Sequence, residues 1–405
     1  MDSAIGDLRR AIAARREEMA EFASELIAVP TENPPGRSYE AGLQVVANRL
    51  QKLGLDARVE PVPDGARDPE HPRVWLSSDW GQGERAVYFH GHIDVVPAQD
   101  PAQFEPKVTE DSLFGRGSTD MKGGLASMIY AVKALADAGL RPEGRIALRI
   151  VPDEETGGAS GSKALCERGL LFGDDACAML TAEPTGGVVW NASRGALTYR
   201  LRVRGRSSHV GLSYRGVNAF EKMLVLSRAL SKIKEDVESR TTRFPLEPEQ
   251  ARRSILMMGG EVQGGKNFNV VPASFSFTLD RRMNPEEDFD EEKTRLLEAI
   301  DSTRAQGVDL ELECIQEARP AGVSSDHPAA RALADSIEEV KGARPRLELC
   351  PGILEIRFYA EKGIPAFAYG PGLLSVAHGP NEFVKRRDME ECAVVYALAA
   401  LRLLS

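Results

Sequence analysis

The sequence predicts an α/β protein of two domains: a mostly parallel sheet flanked by helices and drawn from both ends of the chain, and a smaller antiparallel domain inserted in the middle. Three observations carry this. The chain has 405 residues, more than the roughly 100–200 of a typical single domain. Toward both ends, short β-branched and apolar runs alternate with helical patterns, the order that builds a parallel sheet. Between them the apolar period falls to two, as in antiparallel strands with one solvated face.

Residues 2–53 carry apolar residues at helical spacing, interrupted by Pro30 and the run Thr31-Glu32-Asn33-Pro34-Pro35-Gly36. Consecutive prolines cannot donate helix bonds, so a loop with one helix on each side is expected. The runs 85–90 (RAVYFH) and 145–152 (RIALRIVP) read as strands, with a helix over 121–138 between them. The runs 176–181 (ACAMLT) and 365–369 (PAFAY) read as buried strands of the same sheet, and 388–404 as a closing helix. In the middle, 197–205 (LTYRLRVRG) alternates apolar and charged residues. A helix at 217–236, strands at 254–258 and 273–280, a helix at 290–306 and a strand at 308–314 complete the order βαββαβ, a ferredoxin-like split sandwich. The expected boundaries are 1–191 with 320–405 for the sheet domain, and 192–319 for the insert. No internal repeat argues for a solenoid or propeller.

Composition narrows the function. The count of 51 Lys+Arg against 61 Asp+Glu gives a formal charge of −10, without the basic face that nucleic acid demands. No stretch approaches the roughly 18 apolar residues of a membrane span, and residues 1–22 lack the apolar core of a secretory signal. The five cysteines, Cys166, Cys177, Cys314, Cys350 and Cys392, are scattered and never form a CxxC pair, which argues against disulfides and thiolate zinc sites. The expectation is a cytoplasmic protein with reduced, mostly buried thiols and a small-molecule substrate.

Only six histidines occur, so their settings carry information. In Tyr88-Phe89-His90-Gly91-His92-Ile93-Asp94, period-two geometry puts His90, His92 and Asp94 on one side of a strand end, where open α/β sheets bind ligands. A His-x-Asp pair supplies a metal ligand and its orienting carboxylate together; two core-edge histidines satisfied by backbone would give the same string. In Phe114-Gly115-Arg116-Gly117-Ser118-Thr119-Asp120-Met121-Lys122-Gly123-Gly124, an Asp at a loop-to-helix junction suits either a bridge between two cations or an N-cap. Val151-Pro152-Asp153-Glu154-Glu155-Thr156-Gly157-Gly158 places three acids after a buried strand. Such runs often form a solvated face, but adjacent carboxylates at a strand end raise one another's pKa unless a cation relieves them. Leu180-Thr181-Ala182-Glu183-Pro184-Thr185 and Val376-Ala377-His378-Gly379-Pro380-Asn381-Glu382 add an acid and a histidine. Singly each fits a structural role; together they offer what a two-metal carboxylate and imidazole site needs.

GHIDVVP, GRGSTDMKGG, DEETGG, AEPT and AHGPNE, in this order, resemble the motifs of the M20 metallopeptidase and aminoacylase family, which includes acetylornithine deacetylase and succinyl-diaminopimelate desuccinylase. The similarity runs from about residue 20 to the C-terminus. The resemblance implies two divalent cations, zinc foremost with manganese or cobalt as alternatives. His92, Asp120 and Glu183 would hold one and Asp120, Glu155 and His378 the other, with Asp120 bridging. It implies Glu154 as general base and Asp94 as partner of His92. The insert resembles the family's lid, which often dimerises. Gly205-Arg206-Ser207-Ser208-His209-Val210-Gly211 is similar to the lid motif whose imidazole steadies the oxyanion, in dimers often from the partner subunit. Asn267-Phe268-Asn269-Val270-Val271-Pro272 and Asp280-Arg281-Arg282-Met283-Asn284-Pro285 also match lid motifs, implying Asn269 and Arg282 as contacts to a substrate carboxylate; a surface salt bridge is the other reading of Arg282.

Two departures bear on substrate. Gly211-Leu212-Ser213-Tyr214-Arg215 stands where the family often has Ser-x-Pro before a glycine, and Pro351-Gly352-Ile353-Leu354-Glu355-Ile356-Arg357 replaces a Gly-x-Ser/Thr-Asp segment that normally shapes the pocket. The expectation is a homodimeric, dinuclear metal-dependent hydrolase cleaving the amide of a small N-acyl amino acid or dipeptide. An aminohydrolase acting on an aromatic amine or amidine, and a metal-binding homologue without turnover, are the alternatives. Two adjacent glutamates count against the last, since a binder needs no base.

Overall fold

The computed structural model describes residues 2–63 and 69–405. Contacts divide the chain into two compact units. The first runs to Asn191 and resumes with Val323–Glu348 and Phe358–Ser405; the second comprises Ala192–Gly322 and Leu349–Arg357. The segment 349–357, expected in the sheet domain, therefore groups with the insert.

In the first unit, four strands run parallel in the order Arg145–Val151, Ala86–His92, Ala176–Pro184, Ala366–Gly370. Val74–Gly81 and Arg58–Pro61 extend one side antiparallel, and Val189–Ser193 pairs antiparallel with Ala366–Gly370. The parallel strands are buried along almost their whole length, which is why they read as continuous apolar runs rather than as alternation. The strands Val74–Gly81 and Arg58–Pro61, of which the latter is the edge, lie outside the runs singled out in the sequence. Their mixture of Ser, Asp, Arg and Pro with apolar residues gives a weak signal.

Helix Gly123–Asp137 is buried on nearly every side, the behaviour of a helix that is apolar all round. It packs against the closing helix Arg386–Leu403, whose Tyr396 meets Phe89 of the sheet edge to face, with ring centroids 4.9 Å apart. The N-terminal region differs from expectation. The helix before the proline loop is two helices, Asp2–Ala13 and Arg16–Ile27. Ala14 and Arg15 are good helix formers, so propensity does not explain the break; Arg15 there pairs with Asp137, at 2.6 Å, and with Glu18. After the loop comes Tyr39–Lys52.

The second unit has the βαββαβ order. Its four-stranded antiparallel sheet runs Ile255–Gly264, Ser274–Met283, Gly195–Arg204, Asp309–Ala318. Leu197, Tyr199, Leu201 and Val203 point into a core shared with Leu226, Leu230 and Ile233 of helix Ala219–Ser239 and with Leu296 and Ile300 of helix Phe289–Ser302. Arg202 and Arg204 alternate onto the exposed face. Strand Ile255–Gly264 is twice as long as expected. The expected strand ends at Met258, but Gly259 and Gly260 sit in an irregularity between Met258 and Val262 after which pairing resumes, a use of glycine typical of β-bulges.

No helix among the described residues is long and apolar enough to cross a membrane. All five cysteines are free; Cys350 and Cys392 are buried, Cys166 and Cys177 half-buried and Cys314 exposed. The expectation of mostly buried thiols therefore holds for only two.

Candidate metal centre

Strand Ala86–His92 delivers His92 to the carboxyl end of the sheet, 1% exposed. Its Nδ1 lies 3.0 Å from the Asp94 carbonyl oxygen and 3.6 Å from the Asp94 carboxylate. Its Nε2 faces Asp120 Oδ1 at 3.2 Å and Glu183 Oε1 at 3.7 Å. Glu183 is the penultimate residue of strand Ala176–Pro184, and Asp120 precedes helix Gly123–Asp137. The close approach of these two elements requires glycine: a Cβ on Gly124 would lie 2.4 Å from the Ala182 carbonyl oxygen.

The other oxygen of Asp120 faces a second set. His378 Nε2 lies 3.2 Å from Asp120 Oδ2 and 3.2 Å from Glu155 Oε2. The ligand atoms of His92, Asp120 and Glu183 all lie within 4.8 Å of one another, as do those of Asp120, Glu155 and His378. One carboxylate is thus shared by two triads, the arrangement a pair of cations requires.

The acids of the Asp153-Glu154-Glu155 run face different ways. Asp153 is buried in a left-handed conformation, φ 75°, and accepts from Ser160 N and Thr156 Oγ1, both at 2.7 Å. It fixes the turn. The amides of Glu154 and Glu155 donate to the Asp94 carboxylate at 3.3 and 3.1 Å, so Asp94 orients His92 and the double-glutamate turn together. The field of Glu154 reaches His92 and contributes to raising its pKa. His90, grouped with His92 in the sequence, is instead held by Tyr359 Oη at 3.2 Å and Ser162 Oγ at 3.4 Å.

The electrostatics favour positive charge at this point. Burial opposes charging His92, but hydrogen bonds to Asp120 and Asp94 outweigh it and raise its pKa well above the ordinary value. Hydrogen bonds to Asp120 and Glu155 raise His378 to about 10. Burial would push Asp120 up, yet His378 and His92 hold it below the usual carboxylate range. Glu155 goes the other way, raised by burial and then by the Asp120 charge. Glu155 Oε1 is buried without a hydrogen-bond partner. An orphaned carboxylate oxygen, in a donor set of imidazole and carboxylate only, fits divalent cations of the zinc, manganese or cobalt type.

The second unit holds the remaining residues singled out by sequence. His209 is exposed, and its Nδ1 accepts from Gly211 N at 3.1 Å, which leaves Nε2 as the protonated nitrogen. Asn269 lies beside it: the Val210 amide donates to the Asn269 carbonyl at 2.9 Å, and Asn269 Oδ1 is buried without a hydrogen-bond partner. Arg282 donates from Nε to Asp280 Oδ2 at 3.0 Å, the salt-bridge reading. Burial lowers the pKa of nearby Arg194, and the charge of Arg282 adds to that shift.

Sequence reasoning passed over four residues. Asn33, in the proline loop, is 2% exposed and donates from Nδ2 to Asp94 Oδ2 at 2.9 Å and Thr156 Oγ1 at 3.0 Å. Lys122 is fully buried with Nζ 2.8 Å from the carbonyl oxygens of Leu26 and Val29, and burial lowers its pKa to about 7. Arg116 and Glu382 form an ion pair beneath Asp120 and His378. Both lie inside quoted motifs, and Asn33 is a polar residue next to two prolines; those were the available signals.

Residues 88–402 match the family described as Peptidase family M20/M25/M40. The chain is 29% identical over 398 residues to a succinyl-diaminopimelate desuccinylase of Alkalilimnicola ehrlichii, covering 96% of this chain and 99% of the relative. Its fold is similar to that of di-peptidase Dug1p from Saccharomyces cerevisiae, with a TM-score of 0.76 at 16% identity over 100% and 99% of the two chains. It is also similar to a dinuclear metal binding peptidase of family M20 from Bacillus subtilis, with a TM-score of 0.67 at 14% identity over 97% and 99%.

Proposed function

Since the chain belongs to peptidase family M20/M25/M40 and is a metal-dependent hydrolase of C–N bonds, we propose that its substrate is a small N-acyl amino acid, with dipeptides as the nearest alternative class. One observation carries the site assignment: the two oxygens of Asp120 each face a separate histidine, at 3.2 Å on both sides. In this reading, His92, Asp120 and Glu183 hold one cation and Asp120, Glu155 and His378 the other. When bound, zinc, or manganese or cobalt in its place, supplies Lewis-acid polarisation of the scissile carbonyl and makes water easier to deprotonate.

The chain's own residues do the rest. Glu154 accepts the proton of the attacking water on its carboxylate and returns it to the leaving nitrogen. Asp94 keeps the His92 ring in place through Nδ1 and holds the turn that presents Glu154. His209, protonated on Nε2, donates to the carbonyl oxygen as negative charge develops there. Arg282 and the Asn269 amide bind the substrate carboxylate, the guanidinium offering paired hydrogen bonds. The relative's name supports including dicarboxylic acyl groups such as succinyl among candidates. A homodimer through the second unit is supported by the exposed edge strand Ile255–Gly264, where Met257 and Val262 are about half exposed, since an open edge is a template for pairing. The setting is proposed as cytoplasmic, with a small molecule as the only partner besides the second copy.

The test is a turnover screen of metal-stripped protein restored with zinc or manganese, using N-succinyl and N-acetyl amino acids, dipeptides and aromatic amines, with products read by mass. Chelator-sensitive release of a free amino acid from an N-acyl substrate supports the proposal. Ammonia from an aromatic amine alone would replace it with the aminohydrolase alternative, and two bound metals without turnover of any substrate would favour a binding protein.

A further inference from the structure

Beneath the second triad lies a buried ion pair that the proposed chemistry does not use. Arg116 and Glu382 are each 1% exposed in their side chains, with Arg116 Nη1 2.7 Å from Glu382 Oε2. Each partner extends to one element of the centre. Glu382 Oε1 accepts the backbone amides of Thr119 at 3.0 Å and Asp120 at 3.1 Å. Arg116 donates to the carbonyl oxygens of Gly379 and His378, both at 3.3 Å. The segments carrying these residues are joined elsewhere too: Phe383–Lys385 pairs antiparallel with Ser112–Phe114, and Thr119 Oγ1 donates to the Phe383 carbonyl at 2.7 Å.

We propose that Arg116 and Glu382 are positioning residues for the metal centre, a charged clamp that fixes the Asp120 and His378 backbones relative to each other. Three features carry this. His378 sits at φ 62°, a left-handed conformation uncommon for a residue with a Cβ and maintained only where the surroundings over-determine it; the Arg116 bond to its carbonyl is such a restraint. Asp120 lies outside regular helix, at φ −125° and ψ 95°, so no regular helix fixes its backbone there, and the bond from its amide to Glu382 is a restraint on it. The pair is also too deeply buried to serve as a solvated salt bridge. Apart from Arg116 Nε, which is buried without a hydrogen-bond partner, its polar atoms face each other and backbone dipoles of the two segments that carry Asp120 and His378. Partners of this kind typically change metal affinity 10–100-fold when removed.

The inference rests on the ligand assignment above. The experiment uses the full-length chain stripped of metal and titrated with zinc against a competing chelator, alongside thermal melting of the metal-free protein. Wild type and His378→Ala come first: two zinc ions bound by the former and one lost in the latter uphold the ligand assignment, and any other result removes it and the clamp together. Glu382→Gln then keeps the shape but weakens the clamp. The double variant Arg116→Met with Glu382→Gln removes both charges, leaving no isolated buried charge to unfold the chain. A fall of 10–100-fold in affinity for at least one zinc, with the metal-free melting transition kept, is expected. Wild-type affinities in a folded variant would overturn the proposal. So would a double variant without cooperative melting, since the pair would then serve folding and not the centre.

Discussion

The two triads that share Asp120 use the same donor types in opposite settings. His92 stands on a strand end with its side chain 1% exposed, while His378 stands on a loop in a left-handed conformation with its side chain 48% exposed. Glu183 ends a buried parallel strand, whereas Glu155 belongs to a short turn held by the Asp94 carboxylate. One half is pre-organised by the sheet and shielded from water. The other is assembled from loops and kept in place by hydrogen bonds to buried charges. Coulombic attraction is screened less in a buried site, and fixed ligands lose little entropy on binding, so the His92 side is expected to bind the tighter cation and the His378 side the more labile one.

Five measurements would break or sharpen that contrast. Asp120→Asn removes the shared carboxylate and is expected to abolish turnover and lower zinc below one per chain; retention of two zinc ions by elemental analysis would show that the halves do not share it. Glu154→Ala is expected to lower kcat by about 10²–10⁴-fold, as loss of a general base does, with both metals retained. Turnover within a few-fold of wild type would remove Glu154 from its role. His209→Ala is expected to lower kcat by about 10²–10³-fold, the cost of losing one oxyanion donor, without changing metal content; an unchanged rate would return it to a turn-capping residue.

The next comparison reads stability. His92→Ala leaves buried acids and a backbone carbonyl without their partner and should cost about 1–3 kcal/mol in the metal-free protein. His378→Ala also takes a partner from Asp120 and Glu155, but from a half-exposed ring, and should cost less than His92→Ala. Equal losses in chemical denaturation would erase the distinction between the halves. The smallest effect concerns the order of metal loss. Graded chelator is expected to remove one cation before the other, and the species with one metal should survive in His378→Ala but not in His92→Ala. Simultaneous loss in wild type would mean that the two sites are not thermodynamically distinct.

Much of this centre was legible beforehand because its ligands sit where sequence signals are strong. His92, Glu154, Glu155 and Glu183 follow apolar runs whose ends are easily read, and glycines bracket Asp120. The second unit was legible for the same kind of reason: Leu197, Tyr199, Leu201 and Val203 alternate with polar and charged residues, and period two is visible in one dimension. Less legible was the strand Ile255–Gly264, whose glycines conceal a bulge, and the break at Ala14 and Arg15, which local propensity does not require. Asn33, Arg116, Lys122 and Glu382 were passed over because what marks them is burial, and burial is a property of the folded chain.

The sequence by itself determined the βαββαβ insert, the parallel strands and the inventory of acids and histidines, because apolar periodicity and residue chemistry are local. It also placed the chain beside a known family. Only the tertiary structure decided that the two oxygens of Asp120 face different histidines, that Asp153 turns inward to fix its loop while Glu155 joins a triad, and that His90 belongs to Tyr359 and Ser162. Those outcomes depend on distances of a few ångströms between segments separated by as many as 269 positions, as His90 and Tyr359 are. Such proximities are set by the packing of strands and helices and are written in no single stretch of chain.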